Sequence, residues 1–216
     1  MTKHPHAFLP AAGIDLLLPL YDAFTALMGM GRVRRSLLAQ AALSPGDSIL
    51  DVGCGTGSLL ALIAKTSPGV KATGLDPDPK ALAIAARKLD GSAVQLDQGF
   101  ADKLPYPEAS FDRVFSSFMF HHLEAPQQQA MIAEARRVLK PGGRLELVDF
   151  VASDHPGLLK WLHARHQLAG NAPANVLGLM TRAGFNARML GVQKGLLSAA
   201  YYQAGEAVSA DAWITP

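Results

Sequence analysis

Eleven residues, Ile49 to Leu59 (ILDVGCGTGSL), constrain the fold of this chain more than any other stretch. An apolar run, Ile49 to Val52, carries one charge, Asp51, and then breaks into Gly53, Gly55 and Gly57 before an apolar helical pattern begins. This pattern predicts a buried strand, a tight glycine turn and the first turn of a helix. Glycine combines access to positive φ with the lack of a Cβ, so backbone amides at such a turn can touch a ligand. The helix N-terminus behind the turn favours negative charge. A small anionic or zwitterionic cofactor is therefore expected across this loop.

Spacing narrows the choice. A dinucleotide fold requires G-x-G-x-x-G, but here Ser58 stands where the third glycine would fall. A phosphate-binding loop is excluded because no lysine follows Gly57 before Lys65. The 216 residues, 49% of them apolar, suit one large domain or one domain with a small cap. No apolar run approaches the ~20 residues of a membrane span. Ile14 to Leu20 is broken by Asp15 and Pro19 and does not read as a signal peptide. A net charge of +2 gives no electrostatic case for nucleic acid, and Arg32, Arg34 and Arg35 read as a solvated helix face. The single cysteine, Cys54, forms no internal disulfide and reads as a small buried residue, which points to a reducing cytoplasm. Oligomeric state leaves no signature in the sequence.

Along the chain, residues 1 to 12 are rich in Pro and His, Ile14 to Met28 has helical spacing interrupted at Pro19, and Val33 to Leu43 predicts an amphipathic helix. Ser44-Pro45-Gly46-Asp47 is turn chemistry. It divides a helical cap, residues 1–43, from a core domain, residues 44–216. The core alternates. Strands are expected at Ser48–Val52, Val70–Leu75, Ala93–Leu96, Phe111–Ser116 and Arg144–Phe150. Helices are expected at Gly57–Lys65, Asp78–Leu89 and Pro126–Leu139, the last ended by Lys140-Pro141-Gly142-Gly143. Two further helices, near Leu158–Leu168 and Ala174–Ala183, precede strands at Ala187–Val192 and Leu196–Gln203. Such alternation predicts an α/β fold: a doubly wound, mostly parallel sheet with helices on both faces, its ligand beyond the carboxyl ends of the strands.

Asp76 follows the second predicted strand, 23 positions after Gly53. That is the distance at which an acidic residue, ~20 residues past a glycine turn, accepts ribose hydroxyls. It precedes Pro77 and a helix, but Asp78, with Pro79 behind it, is the better N-cap.

The segment from Asp51 through G-C-G-T-G resembles the first motif of class I S-adenosylmethionine-dependent methyltransferases, and GLDPDPKAL (Gly74–Leu82) is similar to the second. LPYPEASFDRV, within Gly99–Leu123, and RVLKPGGRLELVDF (Arg137–Phe150) resemble the type 11 branch that includes the ubiquinone/menaquinone-biosynthesis C-methyltransferases. The four motifs stand in the family's order over roughly residues 44 to 150. Ala183-Gly184-Phe185 and the two strand-like runs after it resemble the family's closing antiparallel hairpin, which implies seven strands in a Rossmann-like methyltransferase fold. The resemblance implies S-adenosyl-L-methionine as cofactor, held by Asp51, Gly53, Cys54, Gly55, Gly57, Asp76, Pro77, Phe100, Ala101 and Ser116. One departure stands out: where many relatives carry an acid for the adenine amino group, this chain has Phe100, which either packs on adenine or belongs to the core.

His121 and His122 follow the fourth strand and are the candidates for a catalytic base, weighed against simple packing. His163 and His166, three apart on a predicted helix, lack a third ligand, so no metal is expected. The substrate pocket is assigned to Leu17, Tyr21, Phe24 and Met28 of the cap, with His121 and Asp149. The expected function is methyl transfer to a small, apolar molecule, with no nucleic-acid partner and no membrane span. Two alternatives stand beside it: a non-catalytic module binding S-adenosylmethionine or S-adenosylhomocysteine, and a nicotinamide-dependent oxidoreductase, against which the glycine spacing speaks.

Overall fold

The structure is a computed structural model and describes residues 29–151, 172–194 and 198–206. The expected helices at Ile14–Met28 and Leu158–Leu168 lie outside these residues, as do Leu17, Tyr21, Phe24, Met28, His163 and His166. Every other expected element is present. Helix α1 (Met30–Ala41) precedes β1 (Ser48–Val52), α2 (Ser58–Thr66), β2 (Lys71–Asp76), α3 (Pro79–Lys88) and β3 (Gln95–Gln98). Then come β4 (Phe111–Ser117), a 3-10 turn (Phe120–His122), α4 (Ala125–Val138), β5 (Leu139–Phe150), α5 (Pro173–Arg182), β6 (Asn186–Gln193) and β7 (Ala199–Gly205).

The seven strands form one sheet in the order β3-β2-β1-β4-β5-β7-β6. Strands β1 to β5 pair in parallel, and β7 runs antiparallel between β5 and β6. The order reverses between β1 and β4, which is the switch point where α/β sheets open a crevice.

Alternating side chains divide the core between the two faces. Leu50, Val114, Leu147 and Tyr202 join α4 and α5 in one cluster. Their neighbours Ile49, Phe115, Val148 and Tyr201 join α1, α2 and α3 in the other. Helix α1 docks through a stripe at helical spacing, Met30, Val33, Leu37 and Ala41. Its last turn is held from below: Arg113 Nε and Arg144 Nη2 donate to the Ala41 carbonyl at 3.2 and 2.8 Å. These bonds satisfy a carbonyl that the helix itself cannot and place positive charge at the negative end of its dipole.

Helix starts follow their sequence signals. Asp78 caps α3 by accepting from the Lys80 amide at 2.9 Å, with Pro79 behind it. Lys140-Pro141-Gly142-Gly143, expected as a turn before the strand, is instead taken into β5. The pairing register jumps there from Phe111↔Leu139 to Arg113↔Arg144, so the turn survives as an irregularity inside the strand. Among the described residues no helix is long and apolar enough to cross a membrane.

Candidate active site

The glycine turn crosses from β1 to α2 at the switch point. The Gly53 and Cys54 amides both donate to the Leu75 carbonyl, at 2.8 and 3.0 Å, which ties the turn to the end of β2. Gly53 has φ +72, and a Cβ there would lie 2.2 Å from Met119 Cγ. Gly55, at φ +53, faces open space. Asp76 closes the frame from the next strand: its Oδ2 accepts from the Gly55 amide at 2.8 Å and its Oδ1 from the Asp78 amide at 2.9 Å. Each carboxylate oxygen keeps a further lone pair.

A cavity opens above this frame. Its floor is Asp51, Gly53, Cys54, Gly55 and Asp76. Pro77, Phe100, Ala101 and Asp102 line one side, and Ser117, Phe118, Met119 and His122 the other, with Arg34 of α1 in the wall. Phe100 is 36% exposed, so of its two expected settings it occupies the cavity wall rather than the core.

Several assigned residues lie elsewhere. Gly57 faces away, since a Cβ there would meet Ala85 and Leu89. Ser116 does not line the cavity; Ser117 does. Strand alternation explains this: Ser116 follows Val114 toward the α4 and α5 face, and Ser117 follows Phe115 toward α1. His121 and Asp149 do not line it either. Asp149 is 1% exposed and turns back under the 3-10 turn. Its Oδ2 accepts from the His121 amide at 2.8 Å, its Oδ1 accepts from the Phe150 amide at 2.7 Å, and the same oxygen lies 2.6 Å from His121 Nδ1. The buried pair supports the cavity from behind: the His121 ring stacks on that of His122, with centroids 4.0 Å apart.

Arg34 corrects the reading of Arg32, Arg34 and Arg35 as a solvated face. Arg32 and Arg35 are exposed, whereas Arg34 is half-buried. Its Nε donates to Ser117 Oγ at 3.4 Å, and its guanidinium lies 5.6 Å from the centre of the Phe118 ring. Phe118 has φ +59, a left-handed conformation costly for a residue with a Cβ. Its ring is held by Phe150 at 4.7 Å. No local signal marks this kink, which ends β4 and turns Ser117 to Met119 into the wall.

The electrostatics are set by burial. Asp51 is 2% exposed, and its Oδ1 has no hydrogen-bond partner among the described residues. Burial pushes its carboxyl up to about 7; the Arg34 guanidinium opposes this and Asp76 adds to it. Burial likewise raises Asp76, against the pull of the Asp78 and Gly55 amides. The Cys54 thiol is pushed up by burial and by both carboxylates, so it is no nucleophile at neutral pH. Among the described residues no group of three His, Cys, Asp or Glu side chains is placed to hold a metal.

A doubly wound sheet with a glycine turn, an acid on the adjacent strand and a crevice between them is the framework of a nucleoside-cofactor-binding α/β domain. The comparisons specify it further. A family profile described as a methyltransferase domain matches residues 49–143. The chain is 34% identical to the demethylmenaquinone methyltransferase of Deinococcus radiodurans over 170 residues, 72% of this chain and 70% of that protein. It is 39% identical to an uncharacterized methyltransferase of Synechocystis over 121 residues, 56% of this chain. There the match spans only 55% of the relative, little more than half its length. In fold it resembles an S-adenosylmethionine-dependent methyltransferase from Aquifex aeolicus, with a TM-score of 0.62, 24% identity, and 79% and 88% of the two chains covered. The chain belongs to the S-adenosylmethionine-dependent methyltransferases. The cavity suits that cofactor: the buried Asp51 oxygen, without a hydrogen-bond partner among the described residues, matches an ammonium, and the open space at Gly55 leaves room for a ligand.

Proposed function

We propose that this chain transfers the methyl group of S-adenosyl-L-methionine to a small, largely apolar molecule. The observation that carries the reading is the pair of buried carboxylates, Asp51 and Asp76, at the tips of adjacent strands around the open turn at Gly55. In this reading the backbone at Cys54 and Gly55, whose amides are taken by Leu75 and Asp76, lies beside the amino-acid end of the donor. Asp76 accepts from the ribose hydroxyls, and Pro77, Phe100 and Ala101 bracket the adenine. Phe100 contributes a ring face and no acceptor, so adenine is held by stacking and backbone edges.

When bound, the sulfonium supplies a methyl group that is already electrophilic. The protein then has to hold the acceptor in line and exclude water, and positioning alone supplies up to ~7–11 kcal/mol. Phe118, Met119 and Leu123 give an apolar wall for the acceptor, and His122 stands beside them as a proton acceptor for a hydroxyl, thiol or amine. His121 and Asp149 act behind it by fixing its ring. The cap, residues 1–43, closes the acceptor side; the entry of α1 into the wall through Arg34 supports this, and Leu17, Tyr21, Phe24 and Met28 would complete the pocket. The Deinococcus relative is named for demethylmenaquinone, which fits an apolar acceptor. The buried single thiol is compatible with the cytoplasm.

Calorimetry with S-adenosylhomocysteine tests the reading. The wild-type chain should bind it, and Asp76→Ala should weaken binding by ~1–3 kcal/mol. Wild-type protein that shows no saturable heat of binding with this ligand, or an Asp76→Ala variant of unchanged affinity, overturns the assignment. A radiolabelled-methyl screen against small-molecule pools separates an enzyme from a module that only binds.

A further inference from the structure

We propose that Gln127 is a specificity-determining residue of the acceptor side: its side-chain amide donates a hydrogen bond to an oxygen of the methyl acceptor, which is therefore an apolar molecule carrying a phenol, enol or ketone oxygen. The inference rests on the methyl-transfer reading above and names the substrate class of that same cavity.

Gln127 stands in the first turn of α4 and lines the cavity beside His122 and Leu123. Its segment is tied down from several sides. The His121 amide is held by Asp149 at 2.8 Å, and the His122 and Leu123 amides close the 3-10 turn onto the Met119 and Phe120 carbonyls. The buried Gln128 donates from its Nε2 to the Phe120 carbonyl at 3.2 Å, which ties the start of α4 to the turn that carries His122.

Within this frame the Gln127 amide has one orientation. Glu124 and Gln127 form a capping box, in which Gln127 Oε1 accepts from the Glu124 amide at 3.0 Å. A backbone N–H only donates, so the oxygen end of the side chain turns toward it and the NH2 end turns away. Among the described residues no hydrogen bond takes the Gln127 Nε2. The side chain thus offers the cavity two N–H donors on a fixed frame, beside the apolar surface of Phe118, Met119 and Leu123.

A donor at an apolar wall is costly to cover unless the ligand brings a lone pair to it. A carbonyl or phenol oxygen does so, and an ionised oxygen does so more strongly. An ammonium brings only hydrogens, and a thiol is a weak acceptor. With its own oxygen committed to the cap, Gln127 has nothing with which to receive an amine. The capping role by itself carries no such preference, since glutamate fills that position as well as glutamine.

The test is calorimetry on the full chain saturated with S-adenosylhomocysteine and titrated with para-tert-butylphenol and para-tert-butylaniline. The two probes share an apolar body and a group able to donate to His122, and they differ in the lone pair offered to Gln127. Wild-type protein should bind the phenol about three- to tenfold more tightly. Gln127→Glu keeps the capping box and removes the donors, so it should fold, lose that factor for the phenol and bind the aniline as before. Gln127→Leu should show the same loss without the added charge. Wild-type protein that binds the probes equally or binds neither, an unchanged phenol affinity in Gln127→Glu, or an equal loss for both probes overturns the proposal. A loss in Gln127→Glu that Gln127→Leu does not share is charge repulsion and overturns it as well. Wild-type protein that never saturates with S-adenosylhomocysteine removes the methyl-donor reading itself, a distinct result.

Discussion

Asp51 is a carboxyl group taken out of water at the tip of β1 and left with an oxygen that nothing among the described residues bonds. Its folded value of about 7 lies above the unfolded one of 3.8. The sign follows: the folded state holds this proton more tightly, so the contribution to stability is full below about pH 4 and is lost as pH rises through about 7. Asp51→Asn should therefore be more stable than wild type at pH 8, by up to about 4 kcal/mol, with the gap closing toward pH 4. Urea unfolding at several pH values checks this. The same variant should bind S-adenosylhomocysteine more weakly, since stability and ligand affinity trade against each other at such a group. In wild type the affinity should climb from pH 6 to 8, because a ligand ammonium favours the charged carboxylate. The places of Asp51 and Asp76 beside the glycine turn were legible in the sequence, since each stands at a fixed step from a glycine or a strand end, whereas Phe100 had two settings and only the fold puts it in the cavity wall. The place of Arg34 was not legible either: three arginines in four positions of a short helix look alike until the helix is laid on the sheet.

At the level of elements, the glycine turn and α1 carry the site. The turn was readable because three glycines in five residues leave few conformations other than the one observed. What the residue string did not contain is the partner that makes Gly53 irreplaceable. A methyl group there would meet Met119, which arrives from the far end of β4. Gly53→Ala should cost about 2–4 kcal/mol, from positive φ together with overpacking against that side chain; thermal unfolding measures it. For α1, Arg113→Gln removes one of the two donors on the Ala41 carbonyl. A loss of about 0.5–1 kcal/mol is expected. It should appear as faster amide exchange in the last turn of α1, with β1 and β4 unchanged. The expected turn at Lys140–Gly143 became part of β5 for a related reason: strand pairing with β4 resumes on both sides of it, and the sheet absorbs the extra residues.

For the molecule as a whole, the crevice couples ligand binding to folding, because its walls come from both sides of the switch point. S-adenosylhomocysteine at 100 times its dissociation constant should add about 2.7 kcal/mol of stability. For a chain of this length that is a rise of about 5–10 °C in thermal midpoint, readable by calorimetric scan. A midpoint that does not move with ligand concentration would sever this link.

The sequence by itself determined the alternation of strands and helices, the glycine turn, the acid on the second strand and the family, because these signals are local: each is a short run or a fixed spacing along one stretch of chain. Tertiary structure alone decided which of two adjacent serines meets the cavity, that Asp149 turns inward to His121, and that Arg34 of α1 enters the cavity wall. Those outcomes depend on which face of the sheet each helix covers, a choice made by packing between segments many residues apart and written in no single one of them.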